Sequence, residues 1–245
     1  MRQEGALRPR FTLITPSNMF ASRVTGWTGA EVFKLVTPRN GTAQFSQHLV
    51  RLSAGGGHTG DAGSPFEHFL YLLEGEVTWS VGGERVIAGP GSYAYLPVGA
   101  PLDLTAGADA VLTLIRRRYV PLEGVDAPAP RSGNRAEHPA DLTDVDGLVR
   151  RELIPVLDPA HDFAMSLLHF GPGVTLGRVE IHDEEHGLLM VAGTGTYMLH
   201  DQHFEVGAGD FIYMAPYCPQ AFLAAAPDGA EYLLYKDTYR DSDIG

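Results

Sequence analysis

The sequence has one cysteine, Cys218, in 245 residues, so no disulfide can form within the chain and nothing ties it to an oxidising compartment. It has no apolar run near the ~20 residues that a membrane-spanning helix needs, and the opening MRQEGALRPR lacks the basic-then-apolar order of a secretory leader. Positive charge is short as well: Lys and Arg number 18 against 30 Asp and Glu, a net charge of -12. Nucleic acid and anionic membrane surfaces call for the opposite field, which excludes them as partners. Long stretches with helical apolar periodicity are also missing. The expectation is a cytoplasmic protein whose partners are a small molecule and, as a homo-oligomer, further copies of itself.

What is present is turn chemistry. Glycine occurs 29 times and proline 17 times, between short runs rich in Val, Leu, Tyr and Phe such as FLYLLEGEVTWSVGG and GSYAYLPVGAP, the pattern of many short strands. The architecture is mainly β, with LTDVDGLVRRELI left as room for a turn of helix. Residues 121 to 147 are polar and rich in Pro, Ala, Asp and Gly, so they read as a connection. The division is an N-terminal domain over 1–125, a linker over 126–147 and a C-terminal domain over 148–245. Sliding the second half back by 118 residues places Gly193, Gly207 and Gly209 on Gly75, Gly89 and Gly91, and Glu185, His186 and Tyr213 on Glu67, His68 and Tyr95. A duplicated β domain is the economical explanation.

The densest chemistry lies in VEIHDEEHG, residues 179–187, where Glu180, His182 and His186 share parity and would face one way on an extended strand. A helical zinc-protease HExxH is disfavoured because Asp183 follows His182 and the flanks are strand-like. The spacing resembles the two-part motif of the cupin superfamily, with Glu180 and His182 at the two His positions and His186 at the Glu position. Six residues separate His186 from Gly193; Gly209 opens the second part, Ala215 and Tyr217 replace its Pro and Gly, and Gln220 falls on the final ligand position. The resemblance thus implies two jelly-roll barrels, a bicupin, with a metal on Glu180, His182, His186 and Gln220 in the second. In the first copy the same positions hold Ala62, Ser64, His68 and Leu102, so that barrel has no complete metal site and His68 reads as a packed barrel residue. Two imidazoles, a carboxylate and an amide oxygen suit Mn²⁺, with Fe²⁺ and Zn²⁺ behind. Cys218 reads as a buried spectator. In EYLLYKD, Tyr232, Leu234 and Lys236 share a face; an inward Lys236 wants an anion such as a substrate carboxylate, while the pattern equally allows it to snorkel outward or to bridge Glu231 or Asp237.

Over residues 10 to 240, EGEV, GSYAYLP, the EIH-x3-HG run, GDFIYMAPYCPQAF and YLLYKD together resemble one bicupin family, the (S)-ureidoglycine aminohydrolases. That resemblance implies release of ammonia from (S)-ureidoglycine in purine (allantoin) catabolism, a Mn²⁺ site in the C-terminal barrel, and substrate contacts from Gln220, Tyr232, Lys236 and Tyr197, with Glu180 and Lys236 as catalytic candidates. Ala215 and Ala221 depart from the bulkier residues that relatives can carry. Two other readings of the same ligands are a non-haem Fe(II) oxygenase and a bicupin that binds a small molecule without turnover.

Overall fold

The computed structural model describes residues 10–60 and 62–238. Nearly every described element is a strand, and among the described residues the helical pieces are three-residue 3-10 turns at Pro16–Asn18, Pro38–Asn40 and Arg135–Glu137. The room left for a helical turn in LTDVDGLVRRELI is filled by the strand Leu148–Ile154 instead.

The chain forms two compact units, neither of which is continuous in sequence. One contains residues 17–140 and 151–166. Its sheet runs in the order Arg131–Asn134, Ser92–Leu96, Phe66–Glu74, Ala110–Arg118, Phe45–Thr59, Asp103–Ala106, Val77–Val81, Glu84–Ala88. In VTWSV the alternation puts Val77, Trp79 and Val81 inward, and Val50, Leu70, Leu72, Leu104 and Leu112 complete the core around the Trp79 indole.

The other unit gathers residues 10–16 with residues 141–150 and 167–237. Here Phe11–Ile14 lies antiparallel to Phe211–Met214, which pairs with His186–Leu199, which pairs with Ala230–Asp237. Its core is aromatic, with Phe170, Tyr197, Phe222 and Tyr232 all essentially inaccessible.

The internal repeat is visible in the backbone. Gly75 and Gly193 both have positive φ, 82° and 73°, and a Cβ on either would sit 2.1 Å from a carbonyl oxygen, of Asp109 and Gly229 respectively. Only glycine fits both positions. The paired side chains repeat too: Tyr95 donates to Glu67 at 2.7 Å and Tyr213 donates to Glu185 at 3.2 Å.

Two boundaries differ from the sequence expectation. The segment 126–147 carries the strand Arg131–Asn134, which pairs with Ser92–Leu96, and Asn134 Nδ2 donates to Pro90 O and Ser92 Oγ. Residues with loop composition therefore extend a sheet edge, where a short polar strand needs little apolar content. The start of the chain likewise supplies a strand to the unit that holds the C-terminal strands.

Candidate metal centre

The run that supplies the donors is not one strand. Glu180 forms an isolated antiparallel bridge with Gln220, exchanging Glu180 N–H to Gln220 O at 2.8 Å and Gln220 N–H to Glu180 O at 3.0 Å. Residues 181–185 are irregular, and regular pairing begins at His186, flanked by Met214 and Lys236. The expected parity therefore holds only piecewise: a bridged antiparallel pair sends the Glu180 and Gln220 side chains to the same side, while His182 is set by its backbone, whose carbonyl accepts from Tyr217 N–H at 2.7 Å. Tyr217 adopts φ 59° to do so, a left-handed conformation unfavourable for a bulky residue, at the position where the motif has glycine.

His182 and His186 face each other with ring centroids 4.8 Å apart. The Gln220 amide nitrogen lies 3.3 Å from His182 Nε2 and 3.0 Å from His186 Nδ1, while its oxygen accepts from the buried Tyr197 hydroxyl at 3.1 Å. Two imidazole lone pairs thus converge on one point. Burial, with the charges of His182 and Lys236, holds His186 neutral down to about 3, the form in which imidazole binds metal, and its Nε2 is buried without a partner. Burial, and after it the Glu180 charge, keeps the Tyr197 phenol protonated; Tyr232 is likewise pushed up by burial, then by Tyr197 and Glu180. Both phenols are therefore hydrogen-bond donors.

These donors fit a divalent cation. His182, His186 and Gln220 are brought together, and a cation where the imidazole lone pairs meet would turn the Gln220 amide to present its oxygen. Glu180 is on the same side but its carboxylate is turned away, 3.9 Å from Arg178 Nε, and among the described residues no three His, Cys, Asp or Glu side chains are gathered at ligating distance. A change of Glu180 rotamer would be required to complete the quartet.

Lys236 sits directly opposite His186 in the strand register, and Tyr232, opposite Met190, is on the same face in the core. The partner of Lys236 is none of those anticipated: its ammonium lies 3.0 Å from Glu184 Oε1, whose other oxygen lies 2.8 Å from His182 Nδ1. Burial alone would raise the Glu184 carboxyl, but the hydrogen bond and charge of Lys236, helped by His182, hold it below the ordinary carboxylate value. Glu184 is the site residue that the sequence reading missed, although it has the same parity as Glu180, His182 and His186. The Glu184–His182 contact is short but outside hydrogen-bond geometry; a small turn of the ring would make it the carboxylate–imidazole bond that orients a ligating histidine and raises its basicity. Cys218 is buried, and its thiol is raised by that burial.

The family model for the cupin domain matches residues 48–115. The (S)-ureidoglycine aminohydrolase of Escherichia coli (strain K12) is 32% identical over 239 residues, spanning 96% of this chain and 90% of its own length. That of Arabidopsis thaliana is 33% identical over 235 residues, spanning 94% and 76%. Among solved structures, the protein Ylba from E. coli superposes with a TM-score of 0.85 at 32% identity, covering 99% of this chain and 97% of that one. An oxalate decarboxylase from Bacillus subtilis shares the fold, with a TM-score of 0.71 at 13% identity over 96% and 78% of the two chains. The fold is a bicupin.

Proposed function

The chain belongs to the (S)-ureidoglycine aminohydrolase family, and from that membership we propose that it hydrolyses (S)-ureidoglycine to (S)-ureidoglycolate and ammonia, with a divalent metal, Mn²⁺ in our reading, on His182, His186, Gln220 and Glu180. The observation that supports this reading is the contact of Lys236 with Glu184 and of Glu184 with His182, which keeps a cation near the imidazoles where a substrate carboxylate would bind.

In the reaction one carbon, bearing a hydrogen, a carboxylate, a ureido group and an amine, loses the C–N bond to the amine and gains a C–O bond from water; the amine leaves as ammonia after taking a proton. The metal, when bound, supplies Lewis acidity that polarises the reacting groups. The remaining work falls to side chains. Lys236 takes the substrate carboxylate, sharing its ammonium with Glu184, and thereby fixes which face of the carbon meets water. The protonated phenols of Tyr232 and Tyr197 offer donors from an otherwise apolar wall of Phe170 and Phe222. Glu180 lies toward Arg178, 3.9 Å from its Nε; once turned inward to the metal it could pass a proton from water to the departing amine only through a weak metal bond. Ala215 is nearly inaccessible and Ala221 half-buried; Ala221 alternates with Gln220 along one strand and so faces the other side.

We further read the reaction as cytoplasmic and the protein as a homo-oligomer. No described helix is long and apolar enough to cross a membrane. The test is ammonia release from freshly prepared ureidoglycine by chelated protein, with Mn²⁺, Fe²⁺ or Zn²⁺ restored in turn under argon. Turnover restored best by Mn²⁺ is expected. No ammonia with any metal, or turnover that needs O₂, would overturn the proposal.

A further inference from the structure

The N-terminal barrel contains a cavity of about 340 Å³, within the size range of small-molecule sites. It is lined by the counterparts of the four metal-ligand positions, Ala62, Ser64, His68 and Leu102. Ala62 and Leu102 offer no side-chain donor, so the cavity is not a copy of the metal centre. It has nonetheless kept another feature. His68 is directly opposite Arg116 in the antiparallel register, as His186 is opposite Lys236, and a register shift interrupts both ladders at the same distance from these pairs, at Val111/Leu112 and at Met190/Ala192. Arg116 is therefore the structural counterpart of Lys236, and a cation stands at the same station in both barrels.

Among the described residues this cation has no counter-charge. Its guanidinium lies over the Phe66 ring, 4.7 Å from the centroid, its Nε is buried with no hydrogen-bond partner, and among the described residues no carboxylate pairs with it. Beside it, Nδ1 of His48 and Nδ1 of His68 are buried and equally unpartnered, with the two side chains 4% and 3% exposed. Three orphaned nitrogens around one cavity are costly unless something completes them. His58, also on the wall, is already committed: its Nδ1 is 2.7 Å from Leu102 O, and its ring packs against the edge of Trp27.

We propose that the N-terminal barrel is a second binding site, for a small organic monocarboxylate held by Arg116, His48 and His68. The guanidinium fork matches a carboxylate, and the imidazoles add neutral N–H donors. Their neutrality follows from burial and then from the Arg116 charge, with Lys34 a lesser contributor at His48 and His58 at His68, which bring His48 to about 4 and His68 to about 3. With His48 and His68 uncharged, the guanidinium is the one permanent charge among the described lining residues, which favours a monoanion over phosphate. The site is independent of the reaction proposed for the C-terminal barrel.

Both tryptophans of the chain lie in this unit; Trp79 is sealed in the core and Trp27 lines the cavity. Trp27 fluorescence thus reports this site rather than the metal centre. The experiment titrates purified full-length protein with glycolate, a two-carbon hydroxycarboxylate, in the Lys236→Met background that removes the C-terminal anchor. Saturable quenching that disappears in Trp27→Phe is expected, with affinity about thirtyfold or more weaker in Arg116→Gln, as for removal of one side of a buried charge pair. Inorganic phosphate at equal concentration is expected to bind more weakly than glycolate. Should Arg116→Gln fail to fold, His68→Gln, which keeps a polar side chain of similar reach, serves as the second variant, with weakened glycolate binding expected. No saturable signal with glycolate, unchanged affinity in the variant that folds, or tighter binding of phosphate would each overturn the proposal.

Discussion

Replacing Lys236 by Met keeps the length and apolar character of the stem and deletes the charge. Two things are then lost. The substrate carboxylate loses its ammonium, and Glu184, 3.0 Å away with 16% of its side chain exposed, loses its counter-ion. At that separation and an effective dielectric near 20, the Coulomb attraction is about 5 kcal/mol. Desolvation of the pair and the 27% exposure of the Lys236 side chain offset part of it, leaving the ~2–5 kcal/mol typical of one-sided removal of a partly buried charge pair. If that loss is expressed in the transition state, kcat/KM for ureidoglycine falls by roughly 30-fold to several thousand-fold. Folding should survive, since Lys236 is near the end of its strand and its aliphatic stem is conserved in Met. Metal content should stay near that of the parent, because the imidazoles and Gln220 are untouched. The assay is initial-rate ammonia release across substrate concentration, with elemental analysis of the same preparations. A Lys236→Met protein with near-parental kcat/KM would refute the argument, since it would place the carboxylate elsewhere; loss of the metal would show that the lysine acts through Glu184 and His182 instead.

Either His182→Ala or His186→Ala should empty the metal centre while His68→Ala leaves metal content unchanged, measured by elemental analysis on dialysed protein; metal retained by His186→Ala would remove the proposed site. Tyr217→Gly should raise stability by about 0.5–1 kcal/mol, because relief of a left-handed backbone, ~1–2 kcal/mol for a non-glycine residue, outweighs the extra chain entropy of glycine and the side chain is 58% exposed; urea unfolding that shows a loss would refute the strain. A pH effect is expected from Glu67, whose carboxyl is pushed above its ordinary value of 4.5 by burial, then by the hydrogen bond and charge of Asp162, against the weaker pull of Tyr95 and Arg117. Above that ordinary value the folded chain holds a proton that the unfolded chain has released, so this contribution falls as pH rises, by up to ~1.4 kcal/mol per unit. Glu67→Gln should flatten the slope in denaturant melts between about pH 5 and 8, and parallel slopes in the two proteins would contradict it.

Much of the architecture was readable because its strongest constraints are local. Gly75 and Gly193 must be glycine whatever surrounds them, so the repeat shows through diverged sequence, and the Glu67–Tyr95 and Glu185–Tyr213 pairs follow in the same register. Strand parity in YLLYKD correctly put Tyr232 and Lys236 on one face, because a regular ladder enforces period two. The same rule failed over 180–186, where the chain is held by single bridges and backbone bonds to Gln220 and Tyr217 rather than by a ladder. Glu184 escaped notice because its role is defined by Lys236, far along the chain. The equivalence of Arg116 and Lys236 was hidden by a change of offset: sliding by 118 residues aligns Lys236 with Arg118, and only the registers against His68 and His186 show the true match.

The pairing of Phe11–Ile14 with Phe211–Met214 has a consequence for how the chain is made. Phe11 is synthesised well before Met214 and has to wait for it before its ladder can close. During that interval an apolar FTLI strand edge is without its partner, which is the kind of species that recruits chaperones or pairs wrongly. A gene cut between the two sequence halves would thus deliver a C-terminal fragment with the Phe211–Met214 edge uncovered, and co-expressing the two fragments should rescue solubility only when the N-terminal piece retains residues 11–14.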